Sequence, residues 1–403
     1  MGYSLVELEL SRPVTEVRLT SDQQGVGLVA RWHGRPIGFH MEERPTDGLL
    51  SEADIRAIAN REFAANLLTV RVEEELAGPS PKAGPSLSIA ICTRNRADRL
   101  ARLLRSLEST TGSAAFQAVE ILVIDNGSTD HTREVASGFE AVRHVLESRP
   151  GLNFARNRAL AEAKGQLIAY LDDDVVVDAG WLQGLAAGWH SRPDAGGYSG
   201  LVLPYRLDTH AQIMFERRGG FRRGFQRIEF RSAHHHNPLF PVGAGSVGAG
   251  CNMAFDRGLL LELGGFDEAL DTGAPLPGGG DLDIFYRVLR SGRPIIYEPS
   301  YAVHHEHRET IAELKRQYWS WGLGLMAFLV KSHRADPELR HRHRAMIAWW
   351  FGDQALVLLK SVKRFDLQSA RFSLAELRGG VMGLAGEYDR SRARIASIRA
   401  AIP

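Results

Sequence analysis

The chain has 403 residues, 44% hydrophobic and 24% charged, with a formal net charge of +1, which is the make-up of an ordinary globular protein of two or three domains. A balance so near neutral excludes a global attraction to nucleic acid, and the arginine-rich stretches near 217–231 and 339–344 read as solvated faces. Two cysteines, Cys92 and Cys251, lie far apart without pairing or metal-ligand spacing; they are expected as buried, reduced thiols.

In chain order, residues 1 to about 45 alternate apolar and polar positions, as in Leu5-Val6-Glu7-Leu8-Glu9-Leu10, and predict a small antiparallel β unit. Met1-Gly2-Tyr3-Ser4-Leu5 shows no basic region leading into an apolar stretch, so no secretory signal is expected and the protein is read as cytoplasmic. Ser51-Glu52-Ala53-Asp54 has the form of a capping box lacking only Glu or Gln at its last position, which predicts a helix over 51–76. The Pro- and Gly-rich stretch from 77 to 86 reads as a linker. The expected organisation is an N-terminal β-rich domain with its helix over 1–78, a linker over 79–86, a catalytic domain over 87–308 and a helical region over 309–403.

Beyond the linker, strand and helix patterns alternate. Strands are predicted at 87–92, 119–124, 142–146 and 167–171, with helices between them, the first marked by Leu100, Leu103, Leu104 and Leu107 and the third spanning 153–164. Repeated βα units predict a mainly parallel sheet with right-handed crossovers and helices on both faces. The apolar stretches 318–330 and 346–350 fall short of the roughly 20 residues that cross a bilayer. Peripheral contact of these helices with a membrane surface, at its inner face, stays open.

The chemistry is expected at the carboxyl ends of the strands, where open α/β sheets bind ligands. The first strand end carries Thr93-Arg94-Asn95-Arg96, the second Asp125-Asn126-Gly127-Ser128-Thr129-Asp130, and the strand at 167–171 runs into Asp172-Asp173-Asp174. Three adjacent carboxylates repel one another and call for a positive partner; hard oxygen ligands suit Mg²⁺ or Mn²⁺, which can bridge a diphosphate. The alternative is a solvated acidic turn with Asp178 capping the next helix. Asp125 can accept from a base N–H or a ribose hydroxyl, or simply begin a turn. Gly151-Leu152-Asn153-Phe154-Ala155-Arg156-Asn157-Arg158 opens a helix with two guanidinium forks, suited to a base carbonyl or a phosphate.

These four segments are followed in order by Gly248-Ala249-Gly250-Cys251-Asn252-Met253-Ala254-Phe255, Gly264-Gly265-Phe266-Asp267-Glu268 and Gly278-Gly279-Gly280-Asp281-Leu282-Asp283. Together they resemble glycosyltransferase family 2 over about residues 86–310. The resemblance implies the α/β GT-A fold, a Rossmann-like, mainly parallel mixed sheet that binds nucleotide-diphospho-sugars, and transfer of a sugar with inversion to an acceptor hydroxyl. It implies nucleotide-sugar contacts at Thr93, Asn95, Asp125, Arg156, Asp172 and Asp173. Metal contacts are implied at Asp172 and Asp174, with Mn²⁺ or Mg²⁺ as cofactor. In the run His304-His305-Glu306-His307, His305 aligns best with a histidine that completes the coordination. Alternation puts His305 and His307 on one face and His304 on the other; a structural or acceptor-contacting role is the alternative for all three.

An inverting transfer also needs a base for the acceptor proton. Asp281 is the candidate, with an N-cap as its alternative role. Asp283 is the competing base, but two residues further into the helix it better suits the helix dipole. The family's acid before this aspartate is replaced by Gly280, which leaves acceptor binding open. His234-His235-His236 reads as part of a mobile segment over the site. The glycine-rich stretch 243–250 is no P-loop, because no Gly-Lys-Ser/Thr follows it. Tyr318-Trp319-Ser320-Trp321 packs the C-terminal helices, stacks on sugar or seats on lipid.

The chemistry of Asp125 favours UDP- or dTDP-sugars as donors. The acceptor is left as a glycan, a lipid-linked glycan or a small molecule, in polysaccharide or glycoconjugate biosynthesis. The competing readings are a non-catalytic nucleotide-sugar-binding or scaffold protein, and glycosylation of a peptide or small metabolite.

Overall fold

The computed structural model describes residues 2–44, 48–76, 78, 83–110, 114–233, 237–270 and 276–402. Positions 79–82 of the expected linker, and the whole of His234-His235-His236 with its expected role over the site, lie outside the described residues.

Strands Gly2–Glu9, Gln23–Trp32 and Arg35–Glu43 form an N-terminal sheet. The last two pair antiparallel through a tight turn at His33 and Gly34, both at positive φ. Gly2–Glu9, however, runs parallel to Gln23–Trp32, which corrects the all-antiparallel expectation. The intervening residues 10–22 return the chain to its starting end, and their short strand Val17–Arg18 pairs with Leu49–Leu50 instead. Ser51 caps the helix Glu52–Ile58, and Asp54 supplies the reciprocal bond that Glu or Gln usually makes. That helix continues through a π turn, Ala59–Phe63, into Ala64–Leu76.

Among the described residues the central sheet has nine strands. Leu87–Thr93 lies between Val119–Asp125 and Leu167–Asp172, parallel to both, and Val142–Leu146 extends the parallel set. All seven residues of Leu87–Thr93 are buried, so its sequence reads as one apolar run rather than an alternation. Leu100, Leu103, Leu104 and Leu107 of the helix Ala97–Glu108 pack on one face, and Ala155, Ala159 and Leu160 of Leu152–Glu162 on the other. Beyond Leu167–Asp172 the direction changes: Asn252–Asp256 pairs antiparallel with it and with Gly197–Pro204, which in turn lies parallel to Ile295–His305. Val175–Val177 and Ile228–Phe230 pair antiparallel with Ile295–His305.

The C-terminal region is helical: Ile311–Ala335, Arg340–Lys363, Leu367–Met382 and Tyr388–Ala401. Ile311–Ala335 and Leu367–Met382 touch backbone to backbone, since a Cβ at Gly322 would strike the Glu376 carbonyl and one at Gly379 the Trp319 carbonyl. On the inner side of Ile311–Ala335, a Cβ at Gly324 would lie 2.7 Å from the Gly278 carbonyl carbon, so this helix seats the loop that leads into Asp281. No helix among the described residues is long and apolar enough to cross a membrane.

Candidate active site

The ends of Leu87–Thr93 and Leu167–Asp172 open onto a cleft of about 440 Å³, walled by Thr93, Arg96, Asn126, Asp172, Asp173 and Asp174. A second hollow of about 500 Å³ shares Asp172, Asp174 and Arg308 with the first and carries on past Arg156, Asp281 and His305. The two form one continuous depression running from the parallel strands to the C-terminal helices, where Gln317, Trp321 and Glu376 line it.

The three carboxylates face different partners. Asp173 is buried and accepts from Thr93 Oγ1 and from Arg96 Nη1, each at 2.8 Å. Burial pushes its carboxyl above the ordinary range against the pull of Arg96. Asp172 keeps about a third of its side chain exposed and sits 3.7 Å from Arg156 Nη2. Burial also opposes ionisation of Asp174, but His305 in its protonated form, with Arg308 and Arg96, outweighs it and holds the carboxyl below its usual value. Its Oδ1 is buried and receives no hydrogen bond.

His305 Nε2 lies 3.4 Å from that unpaired Asp174 oxygen. The other ring nitrogen, Nδ1, is 3.0 Å from His307 Nδ1, and His307 Nε2 is 2.6 Å from Glu216 Oε1. His304 points to the opposite side, 3.4 Å from Asp178, as strand alternation requires. Burial pushes His305 down to about 4 and His307 to about 3, so both are neutral imidazoles near pH 7.

Among the described residues no three His, Cys, Asp or Glu side chains converge as a ready-made metal cluster. The structure brings Asp174 and His305 together and leaves Asp172 towards Arg156, because adjacent carboxylates separate towards different arginines. The donor chemistry still fits a divalent cation. A buried carboxylate oxygen without a donor faces an imidazole nitrogen, with Asp172 on the same cleft, and a cation would satisfy the orphaned atom.

The helix Gly280–Arg290 starts from Gly279 at φ 105°, so Gly279, and not Asp281, is its N-cap. Asp281 lines the cleft and accepts the Leu282 N–H at 2.9 Å. Asp283 is 1% exposed, 2.8 Å from Arg287 Nε and in contact with Lys331 Nζ, which occupies it as a structural ion pair.

Two expected nucleotide contacts sit elsewhere. Asn95, at φ 54°, accepts the Thr129 N–H at 2.7 Å and borders a separate shallow hollow with Asp130 and His131. Asp125 accepts the Ser128 N–H at 2.8 Å and lies 3.3 Å from His144 Nε2, behind Asn126, which does reach the cleft. Asn126 in turn holds the loop before Gly151, donating to the carbonyls of Glu147 and Arg149 and accepting the Gly151 N–H. Sequence reasoning missed Asn126, Arg96 and Arg308 as site residues. Charge balance was the available signal, since three carboxylates in a row require cations nearby.

Residues 88–261 match the family model described as Glycosyl transferase family 2. Over that segment the chain is similar to glycosyltransferase family 2. The chain is 24% identical over 318 residues to the pre-mycofactocin glycosyltransferase of Mycobacterium tuberculosis, covering 75% of this chain and 60% of that protein. It therefore spans about three-fifths of that relative's length. It is 22% identical over 249 residues to the glucosyl-dolichyl phosphate glucuronosyltransferase of Haloferax volcanii, with 58% of this chain and 74% of that protein covered. Among solved structures, the mannosyltransferase PcManGT from Pyrobaculum calidifontis in complex with GDP-Man and Mn²⁺ superposes with a TM-score of 0.51 at 18% identity, covering 82% of this chain and 97% of that one. The fold is GT-A.

Proposed function

We propose that the protein is a metal-dependent, inverting glycosyltransferase that moves a sugar from a nucleotide-diphospho-sugar to an acceptor hydroxyl. The observation that carries this reading is the unpaired Asp174 oxygen facing His305 in the same cleft that Asp281 lines. Asp172, Asp174 and His305 would hold Mn²⁺ or Mg²⁺, which when bound supplies Lewis acidity for departure of the nucleoside diphosphate. Arg96 and Arg308 balance the carboxylates, and Arg156, on the same wall, is a further fork for donor oxygens. Thr93 and Arg96 fix Asp173, which keeps the turn in one shape. Asp281 takes the proton from the acceptor hydroxyl as the new bond forms.

A UDP- or dTDP-sugar is the proposed donor; reading its base N–H requires Asp125, held behind Asn126 against Ser128 and His144, to turn towards the cleft. Phe221 and Trp321 on the acceptor side suit stacking on a sugar ring, which favours a glycan or glycoconjugate acceptor. For the C-terminal helices we propose contact with an anionic membrane surface at its inner face. Trp349, Leu356 and Phe365 are 56%, 56% and 88% exposed, and residues 340–382 carry eight Lys and Arg against three Asp and Glu.

The test is donor hydrolysis or transfer followed alongside donor binding. Loss of turnover in Asp281→Asn with binding retained supports the enzyme reading. Donor binding without turnover in the unaltered protein, across a panel of acceptors, supports a nucleotide-sugar-binding scaffold.

A further inference from the structure

The hydrogen-bond chain behind His305 fixes which of its nitrogens carries the proton. Glu216 sits on the helix His210–Arg217, is 3% exposed, and has Arg222 against its second oxygen. A carboxylate so held offers only lone pairs. At 2.6 Å from Glu216, His307 Nε2 must therefore be the N–H that donates. Of two ring nitrogens 3.0 Å apart one donates and one accepts, and because Asp174 Oδ1 receives no hydrogen bond from His305 Nε2, the His305 N–H lies on Nδ1 and His307 Nδ1 is the acceptor. His305 Nε2 is then left as a lone pair.

His305 Nε2 and Asp174 Oδ1 stand 3.4 Å apart, and that oxygen receives no hydrogen bond, as expected for two lone pairs directed at one point. The opposite polarity would place an N–H between them and close the point to a cation. Everything around the relay holds its geometry. Gln212, on the same helix as Glu216, donates to the His307 carbonyl, and the rings of Phe215 and Phe221 pack against His307 with centroids 4.6 and 6.0 Å away.

We propose that Glu216 and His307 are positioning residues: Glu216, through His307, holds His305 in the Nδ1–H tautomer so that its Nε2 lone pair is presented to a divalent cation beside Asp174. The inference rests on the metal-dependent reading above. It goes beyond that reading by giving a function to two residues, 91 positions apart, that never touch the cleft contents. Ligating histidines are commonly oriented in this way by a partner on the second nitrogen.

The test uses the whole protein labelled with ¹⁵N-histidine, and Mn²⁺ binding followed by electron paramagnetic resonance. In the unaltered protein without metal, His305 is expected as the Nδ1–H tautomer. In Glu216→Gln the amide oxygen turns to Arg222 and its NH₂ to His307, which reverses the chain: His305 is expected as Nε2–H and Mn²⁺ affinity falls about tenfold or more. His307→Leu removes the acceptor for His305 Nδ1–H, is expected to weaken Mn²⁺ similarly, and stands in if Glu216→Gln fails to fold. A folded Glu216→Gln or His307→Leu with unchanged Mn²⁺ affinity overturns the proposal, provided Asp174→Ala abolishes binding. If the unaltered protein binds no Mn²⁺, the metal reading fails; the tautomer of His305 then still decides whether Glu216 sets the polarity, and Nε2–H would overturn that too.

Discussion

Arg31, on the N-terminal sheet, places Nη2 2.6 Å from Asp178 Oδ2, six residues beyond Asp172, and both side chains are at least nine-tenths buried. This contact ties the N-terminal unit to the end of the short strand Val175–Val177 that follows the acidic turn. Removing one partner of a buried pair leaves an uncompensated charge, so Arg31→Leu is expected to destabilise the protein by about 3 kcal/mol. Chemical denaturation at pH 7 measures it.

The same pair sets an acid limit. Burial opposes ionisation of Asp178, but His304 and Arg31 overcome it and bring its carboxyl from 3.8 down to about 2. The folded value is below the unfolded one, so the stabilisation is fully present above about pH 4 and is lost as pH falls through about 2. Its full size is on the order of 2 kcal/mol. Asp178→Asn should therefore flatten the loss of stability between pH 4 and 2, read from denaturation midpoints across that range.

Asp281 and Asp283 are two residues apart yet should fail differently. Asp281→Asn is expected to lower kcat by about 10²–10⁴-fold with little change in stability, as for loss of a general base. Asp283→Asn leaves Arg287 and Lys331 facing a neutral group, and its main effect should be on the unfolding midpoint. Paired kinetics and thermal unfolding separate the two.

The exposed apolar and basic face of Arg340–Lys363 and the turn after it should bind vesicles containing phosphatidylglycerol and not vesicles of phosphatidylcholine alone. Replacing Trp349, Leu356 and Phe365 together by serine should abolish co-sedimentation. A concentration-dependent dimer that the same substitutions dissociate would assign this face to a second copy of the chain.

Much of this architecture follows from local pattern. Leu87–Thr93, Val119–Asp125 and Leu167–Asp172 are buried on both faces and announce themselves as apolar runs ending in polar residues. The leucine spacing of Ala97–Glu108 and the alternation of His304 and His305 have the same local origin. What eluded the sequence depends on distant pairings. The parallel direction of Gly2–Glu9 is set by the path of residues 10–22. Arg96 meets Asp173 across 77 positions and Glu216 meets His307 across 91, and no local period marks either. Asn95 accepts the Thr129 N–H from the loop after the neighbouring strand, and Asp125 accepts the Ser128 N–H within its own, pairings that form only once the strand ends are in place.

The central claim is that the cleft binds a nucleotide-diphospho-sugar together with a divalent cation. Thermal unfolding with UDP-, dTDP- and GDP-sugars, each with and without Mn²⁺, tests it most directly, because a ligand that binds the native state raises the transition temperature. The account predicts a rise with a UDP- or dTDP-sugar that requires Mn²⁺ and disappears in Asp174→Ala. No rise with any of the three donors, or a rise that persists in Asp174→Ala, would contradict it.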